Sequence, residues 1–283
     1  MKYVLITGVS TGIGLASAHY LLERGYGVLG SVRHQTDADR LRSELGSHFH
    51  PLLFDVCDAA AVAGARPQVE AIVGEAGLAG LVNNAGIAVS GPLALVPLER
   101  IRYQLEVNVL GVIQVTQTFL PLLGAQLPAR TRPGRVINIS SVSGAFAAPF
   151  VGPYCASKYA LEALTDSWRR ELLLYGIDMI SIRPGPIRTP IWQKTIDKIE
   201  TYPDSDYAPL LRQSEQMIRQ SEANSLPAER VAKVVLRALE ARRPRTRYIV
   251  AKNKLNFHLL FHWIPDRVAD FFVRRAFRKM AQS

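Results

Sequence analysis

Tyr3-Val4-Leu5-Ile6-Thr7-Gly8-Val9-Ser10-Thr11-Gly12-Ile13-Gly14 decides the fold. A short apolar run enters a cluster of three glycines, and a helical pattern follows over about 13–24. The run is too short for the apolar core of a signal peptide and reads as a buried strand. Glycines between a strand and a helix permit a tight turn, and they let backbone amides at the helix N-terminus approach a diphosphate. They can equally be plain turn residues, so the stretch takes its meaning from what surrounds it.

Working outward, strands alternate with longer helical patterns. Strands are expected at 27–32, near 50–54, at 80–82, 135–140 and 177–183, with helices near 37–45, 58–74, 98–123 and 153–175. This βαβ rhythm predicts an α/β fold with a parallel, doubly wound sheet flanked by helices. Residues 186–226 interrupt it with Pro190, Pro203 and Pro209 and suit short helices over a loop, before a helix near 227–241 and a strand near 246–250. The chain of 283 residues, 48% hydrophobic, can bury one large core. We expect a catalytic domain over 1–250, with a substrate loop at 186–226, and a basic amphipathic extension over 251–283.

Cys57 and Cys155 form no C-x-x-C pair, so neither a disulfide framework nor a zinc site is indicated, and a cytoplasmic location is expected. No 18 uninterrupted apolar residues occur, which argues against a spanning helix. The net charge of +10 is concentrated: from Arg242 to Ser283 eleven Lys or Arg face Asp266 and Asp270, so +9 of it lies there. No nucleic-acid motif accompanies that charge, and no nucleic-acid partner is expected. Leu255–Ile264 carries Phe257, Leu259, Leu260, Phe261 and Trp263, and further on Phe272, Ala276 and Met280 stand largely opposite Arg267, Arg274 and Arg278. Such a pattern suits an anionic membrane surface, or a helix packed on the body or a partner subunit. His258 and His262 lack further ligands and read as structural.

The chemistry lies in Pro153-Tyr154-Cys155-Ala156-Ser157-Lys158. On a helix Tyr154 and Lys158 share a face, so the ammonium can sit beside the phenol and favour its ionised form. A phenol, with a reference pKa of about 10, needs such help to exchange protons near neutrality. By itself the pair also fits an amphipathic helix with an interface tyrosine and a surface lysine. Ser141 lies thirteen residues before Tyr154 at the end of a strand, where open α/β folds bind ligands, and Asn108 sits in a helix where asparagine has poor propensity.

Thr7 to Gly14 resembles the T-G-x-x-x-G-x-G signature of the short-chain dehydrogenase/reductase family. Asn83-Asn84-Ala85-Gly86, Tyr154-x-x-x-Lys158 and Pro184-Gly185-x-x-x-Thr189 follow in that family's order. The resemblance covers about residues 3–250 and is closest to the hydroxysteroid and retinol dehydrogenase branch. It implies a Rossmann-type domain and hydride transfer between a nicotinamide cofactor and an alcohol or carbonyl. Tyr154 would move the proton, Lys158 would lower the phenol pKa and bind the nicotinamide ribose, Ser141 would bond the substrate oxygen, and Asn108 would support a proton relay. Ser143 is a further candidate for substrate contact, while Ser140 should point the other way.

Gly8, Ser10, Thr11, Gly12, Ile13 and Gly14 would cradle the diphosphate. Asp55 and Val56 would hold the adenine, although Asp55 also reads as a turn or cap residue. Asn83, Ala85 and Gly86 would line the cleft, and Pro184, Gly185, Ile187 and Thr189 would border the nicotinamide. At the end of the second strand Val32 occupies the position expected for a ribose-binding carboxylate, 24 residues after Gly8, and Arg33 follows. A guanidinium accommodates a 2′-phosphate, so NADP(H) is expected over NAD(H). Arg33 also reads as a merely solvated residue, and His34 as a loop histidine. Trp192, Tyr202 and Tyr207, with Val142, Phe146, Phe150 and Val151, point to a lipophilic alcohol or carbonyl such as a steroid or retinoid. The resemblance further implies a homodimer or homotetramer. A catalytically silent redox sensor or scaffold and an epimerase or dehydratase are the competing readings.

Overall fold

The structure is a computed structural model and describes residues 1–191, 202, 204–213, 225–252 and 265–281. Its centre is a parallel sheet of β1 (Lys2–Ile6), β2 (Tyr26–Val32), β3 (Phe49–Leu53), β4 (Leu78–Asn83), β5 (Arg135–Ile139), β6 (Met179–Pro184) and β7 (Arg247–Val250). The strand order is β3-β2-β1-β4-β5-β6-β7. The order reverses between β1 and β4, and at such a switch point diverging crossovers open a crevice at the carboxyl ends of the strands.

Alternation along each strand supplies two cores, one per face. Val4 and Ile6 of β1 point to the face covered by α1 (Gly12–Leu22), α2 (Gln35–Leu45) and α7 (Glu229–Glu240). Leu5 points to the other, packed by α3 (Ala59–Val73) and α5 (Gly111–Phe119), where Phe119 is wholly buried. Asp58 caps α3, its Oδ1 accepting from the Ala61 amide at 2.9 Å.

The long helix expected over 98–123 is composite. It comprises α4 (Leu98–Leu105), a π-helical turn at Glu106–Leu110, α5, and a 3₁₀ turn at Leu120–Leu123. In the π turn Gly111 donates to the Glu106 carbonyl, five residues back, and the extra residue rotates Asn108 into the interior, 1% exposed. Among the described residues this run is long and apolar enough to cross a membrane by length and composition, yet it packs Val107, Val115 and Phe119 into the core. α6 (Gly152–Glu171) carries Tyr154 and Lys158, and α8 (Asp266–Ala281) closes the described chain.

Candidate active site

The turn after β1 is held by backbone packing. Gly8 has φ +70°, and a Cβ there would stand 2.9 Å from the Ala85 Cα. At Gly14 a Cβ would run into the Gly8 carbonyl oxygen. The turn after β4 is sewn to the one after β1: Asn84 Nδ2 donates to the Thr7 and Gly8 carbonyls, both at 2.9 Å, and Thr7 Oγ1 accepts from the Asn84 and Ala85 amides at 2.9 and 3.0 Å. Gly8, Ser10, Thr11, Gly12 and Ile13 line a cleft of about 1250 Å³; Gly14 acts one layer below, letting α1 approach the strand end.

Asn83 departs from expectation. Its side chain does not line the cleft; Nδ2 donates to Thr116 Oγ1 and Asn138 Oδ1, both at 2.9 Å, inside the protein. Asn83 still belongs to β4, so the pleat turns it inward, and Asn84, one residue on, reaches the cleft with Ala85 and Gly86. Asp55 takes the turn role and also borders the cleft. One oxygen accepts from the Cys57 amide at 3.0 Å in a turn, while the other lies 3.8 Å from Arg33 Nη1 at the cleft wall beside Val56. Val32 is 3% exposed and offers no charge, whereas the Arg33 side chain is 57% exposed and borders the cleft with His34. Arg40, which the sequence reading passed over, donates to the Ser10 carbonyl at 3.0 Å and so braces the glycine turn from α2. Pro184, Gly185, Ile187 and Thr189 line the opposite wall.

Ser141, Tyr154 and Lys158 converge on the cleft where β5 ends against α6. Tyr154 and Ser141 are hydrogen-bonded through their side chains. Lys158 Nζ donates to the Ile139 carbonyl at 2.8 Å and lies 5.8 Å from the Tyr154 ring centroid. Ser143 lines the cleft and donates its amide to Ser141 Oγ at 3.0 Å; Ser140 is turned beneath Gly144, away from the strand-end serine. The Asn108 amide is engaged elsewhere. Its Oδ1 accepts from the Ile87 amide and its Nδ2 donates to the Ile87 carbonyl, both at 2.9 Å, and to Ser157 Oγ at 3.1 Å. Ser157 in turn donates to the Tyr154 carbonyl at 2.7 Å, so Asn108 ties the loop after β4 to the first turn of α6.

The expected lowering of the phenol pKa is not found in this geometry. Burial pushes Tyr154 up to about 12, only partly offset by the Ser141 hydrogen bond. Burial also brings Lys158 down to about 8, against the charge of Glu162, which favours the ammonium. Loss of water disfavours the charged form of both partners, and Lys158 turns its Nζ to a carbonyl rather than to the phenol. Glu162, one turn beyond Lys158 and 6% exposed, was not foreseen. It accepts from Ser181 Oγ at 2.5 Å, Arg183 Nη2 at 2.6 Å and Arg247 Nε at 3.2 Å, binding α6 to β6 and β7. In sequence these residues are far apart, and only strand order brings them together.

The far end of the cleft is apolar. Phe150, a non-glycine residue at φ 64°, stacks on Phe277 of α8 with centroids 5.7 Å apart and meets Tyr207 edge-on at 6.0 Å. Val273, Ala276 and Phe277 line the cleft, so α8 packs on the body and completes the site. Phe272, grouped with Ala276 on the apolar face, is 61% exposed. Tyr202 lies against Gly91, while Trp192, His258, His262 and Leu255–Ile264 fall outside the described residues.

The family model for short chain dehydrogenases matches residues 2–200. An NADPH-dependent 3-dehydrocapnine reductase from Ornithobacterium rhinotracheale is 42% identical over 282 residues, spanning 100% of this chain and 99% of that protein. Retinol dehydrogenase 16 of Mus musculus is 34% identical over 284 residues, covering 95% and 86%. In architecture, a short-chain dehydrogenase from Streptomyces avermitilis superposes with a TM-score of 0.78 at 24% identity, covering 100% and 99%. Similarity along the whole chain, on top of a glycine turn that many folds could share, makes this protein a member of the short-chain dehydrogenase family and an oxidoreductase.

Proposed function

We propose that this protein is an NADP(H)-dependent carbonyl reductase for a lipophilic ketone or aldehyde, its reverse reaction being oxidation of the matching alcohol. The observation that carries the reading is the side-chain juxtaposition of Ser141, Tyr154 and Lys158 on a cleft that runs from the glycine turn to an apolar end. The NADPH dependence of the Ornithobacterium relative supports the cofactor, as does an arginine rather than a carboxylate at the end of β2. The residues fit the group: the β1 turn has no side chain that blocks a diphosphate at Gly8 and Gly12, and Arg33 offers a planar donor set for a 2′-phosphate.

When bound, the cofactor supplies or accepts the hydride. The chain supplies the remainder. Ser141 and the Tyr154 hydroxyl hold the substrate oxygen, and Tyr154 delivers the proton to it as charge develops. A phenol held up near 12 is protonated at neutral pH, the form that reduction requires. Lys158, buried beneath, would hold the ribose and balance the proton lost by Tyr154; Asn108 fixes the helix start that carries both. Phe150, Phe277 and Tyr207 favour a bulky apolar substituent on the carbonyl. A homodimer or homotetramer, implied by the family resemblance, belongs to the same reading and is checked by light scattering.

Oxidation of NADPH across a panel of ketones and aldehydes tests the proposal. Tyr154→Phe should lower turnover by about 10²–10⁴-fold, the scale of a lost general acid. Near-normal turnover by that variant would remove Tyr154 from the mechanism.

A further inference from the structure

α8 has two apolar faces. Ala269, Val273, Ala276 and Phe277 follow i, i+4, i+7, i+8 spacing and are the partly buried residues among those described in the helix. They face the body, and the last three line the cleft. Val268, Phe271, Phe272 and Arg275 follow i, i+3, i+4, i+7 spacing on a neighbouring face turned away from the cleft, where Val268, Phe271 and Phe272 are 43%, 59% and 61% exposed. Arg267, Arg274 and Arg278, all exposed, share a second line bordering that face. The helix's two acids, Asp266 and Asp270, share the line of Val273 and Phe277 instead. The outward face therefore combines two adjacent phenyl rings, 5.7 Å apart, with Arg275 on the same line and Arg267 beside it, while Arg274 and Arg278 also border a depression shared with Asp206 and Asp270.

We propose that α8 docks the enzyme on an anionic phospholipid bilayer by its outward face, while its inward face walls the substrate cleft, so that a lipophilic carbonyl passes from the bilayer into the site. The proposal rests on the reductase reading for its substrate and on α8 for its surface. Charge complementarity selects a lipid surface: phenyl rings enter the interface while arginines pair with phosphates around them. A second copy of the chain would bring four exposed arginines against four more.

The full chain should co-sediment with vesicles of phosphatidylcholine containing phosphatidylglycerol and should remain in solution with phosphatidylcholine alone. Phe271→Ser/Phe272→Ser should weaken partitioning by about tenfold or more, given what each buried ring contributes. Arg267→Glu/Arg275→Glu should weaken it by at least about fivefold per site. Turnover of a water-soluble ketone should stay at the wild-type level in both variants, which also reports that each is folded. Turnover of a long-chain ketone embedded in the anionic vesicles should fall with the partitioning. Equal binding of wild type and both variants, or none by the wild type, overturns the docking. So does a light-scattering mass that these substitutions reduce while vesicles leave the wild type unbound, since the face then joins two copies. Vesicle binding without turnover of any ketone overturns the reductase reading and leaves the docking in place.

Discussion

Replacing Glu162 by glutamine tests how the site's support is built. The carboxylate is 6% exposed and accepts from Ser181, Arg183 and Arg247, while Arg183 is itself 9% exposed. Glutamine preserves size and an acceptor oxygen but removes the charge, leaving the Arg183 guanidinium buried without compensation. Breaking one partner of a buried ion pair costs about 3–5 kcal/mol, and the retained acceptor places this variant near about 3. At about 2 °C per kcal/mol for a chain of this size, the midpoint of thermal unfolding should fall by about 6 °C. Burial alone would raise the Glu162 pKa; hydrogen bonds from Arg183 and Ser181 and the Arg183 charge together hold it below the ordinary value. A carboxyl lowered in the folded state contributes stability above its unfolded pKa of about 4.3 and loses it as pH falls through the folded value. The gap between wild type and variant should therefore narrow on acidification. Glu162→Met/Arg183→Met should recover part of the loss, because no buried charge of that pair is stranded and Arg247 keeps Asp166. Circular dichroism melts provide the readout. A Glu162→Gln midpoint within about 2 °C of wild type at neutral pH would refute the argument.

The remaining expectations concern the cleft. Lys158 should lose its proton near pH 8, so kcat/KM should decline above that pH, and Glu162→Gln should move the decline to lower pH, since the carboxylate favours the ammonium; a decline that stays in place would dissociate the two residues. Arg33→Asp should lower the NADPH over NADH preference by about 10–100-fold, the value of a charged hydrogen bond, measured as a ratio of kcat/KM. Gly14→Ala should cost about 1–3 kcal/mol and weaken NADPH binding, because its Cβ meets the backbone oxygen of Gly8 and the Asn84 amide bonded to that turn; melts and cofactor fluorescence check both.

What the residues disclose locally was legible. Periodicity located the strands and most helices, because burial on two faces of a parallel sheet leaves a regular apolar signature in the chain. The glycine turn and the Tyr154 and Lys158 pair were readable for a related reason, since they depend on residue type after a strand or on neighbouring turns of one helix; Ser141 was singled out among three serines by the family resemblance. Asn83 was misplaced by a single residue, since whether a strand has ended at a given position is decided by its partners rather than its own side chain. The π turn at Glu106–Leu110 left no pattern of its own beyond an asparagine unsuited to a helix.

The sequence by itself determined the sheet, the glycine turn and, through the family resemblance, a candidate triad of Ser141, Tyr154 and Lys158, because local propensity and short motifs carry them. Only tertiary structure decided the environment of that triad. Burial sets Tyr154 near 12 and Lys158 near 8, and strand order delivers Arg183 and Arg247 to Glu162. It also resolved the basic extension, bringing Phe277 onto Phe150, 127 positions away, and turning Phe271 and Phe272 outward. Desolvation and long-range packing depend on which surfaces meet, and that is a property of the folded chain alone.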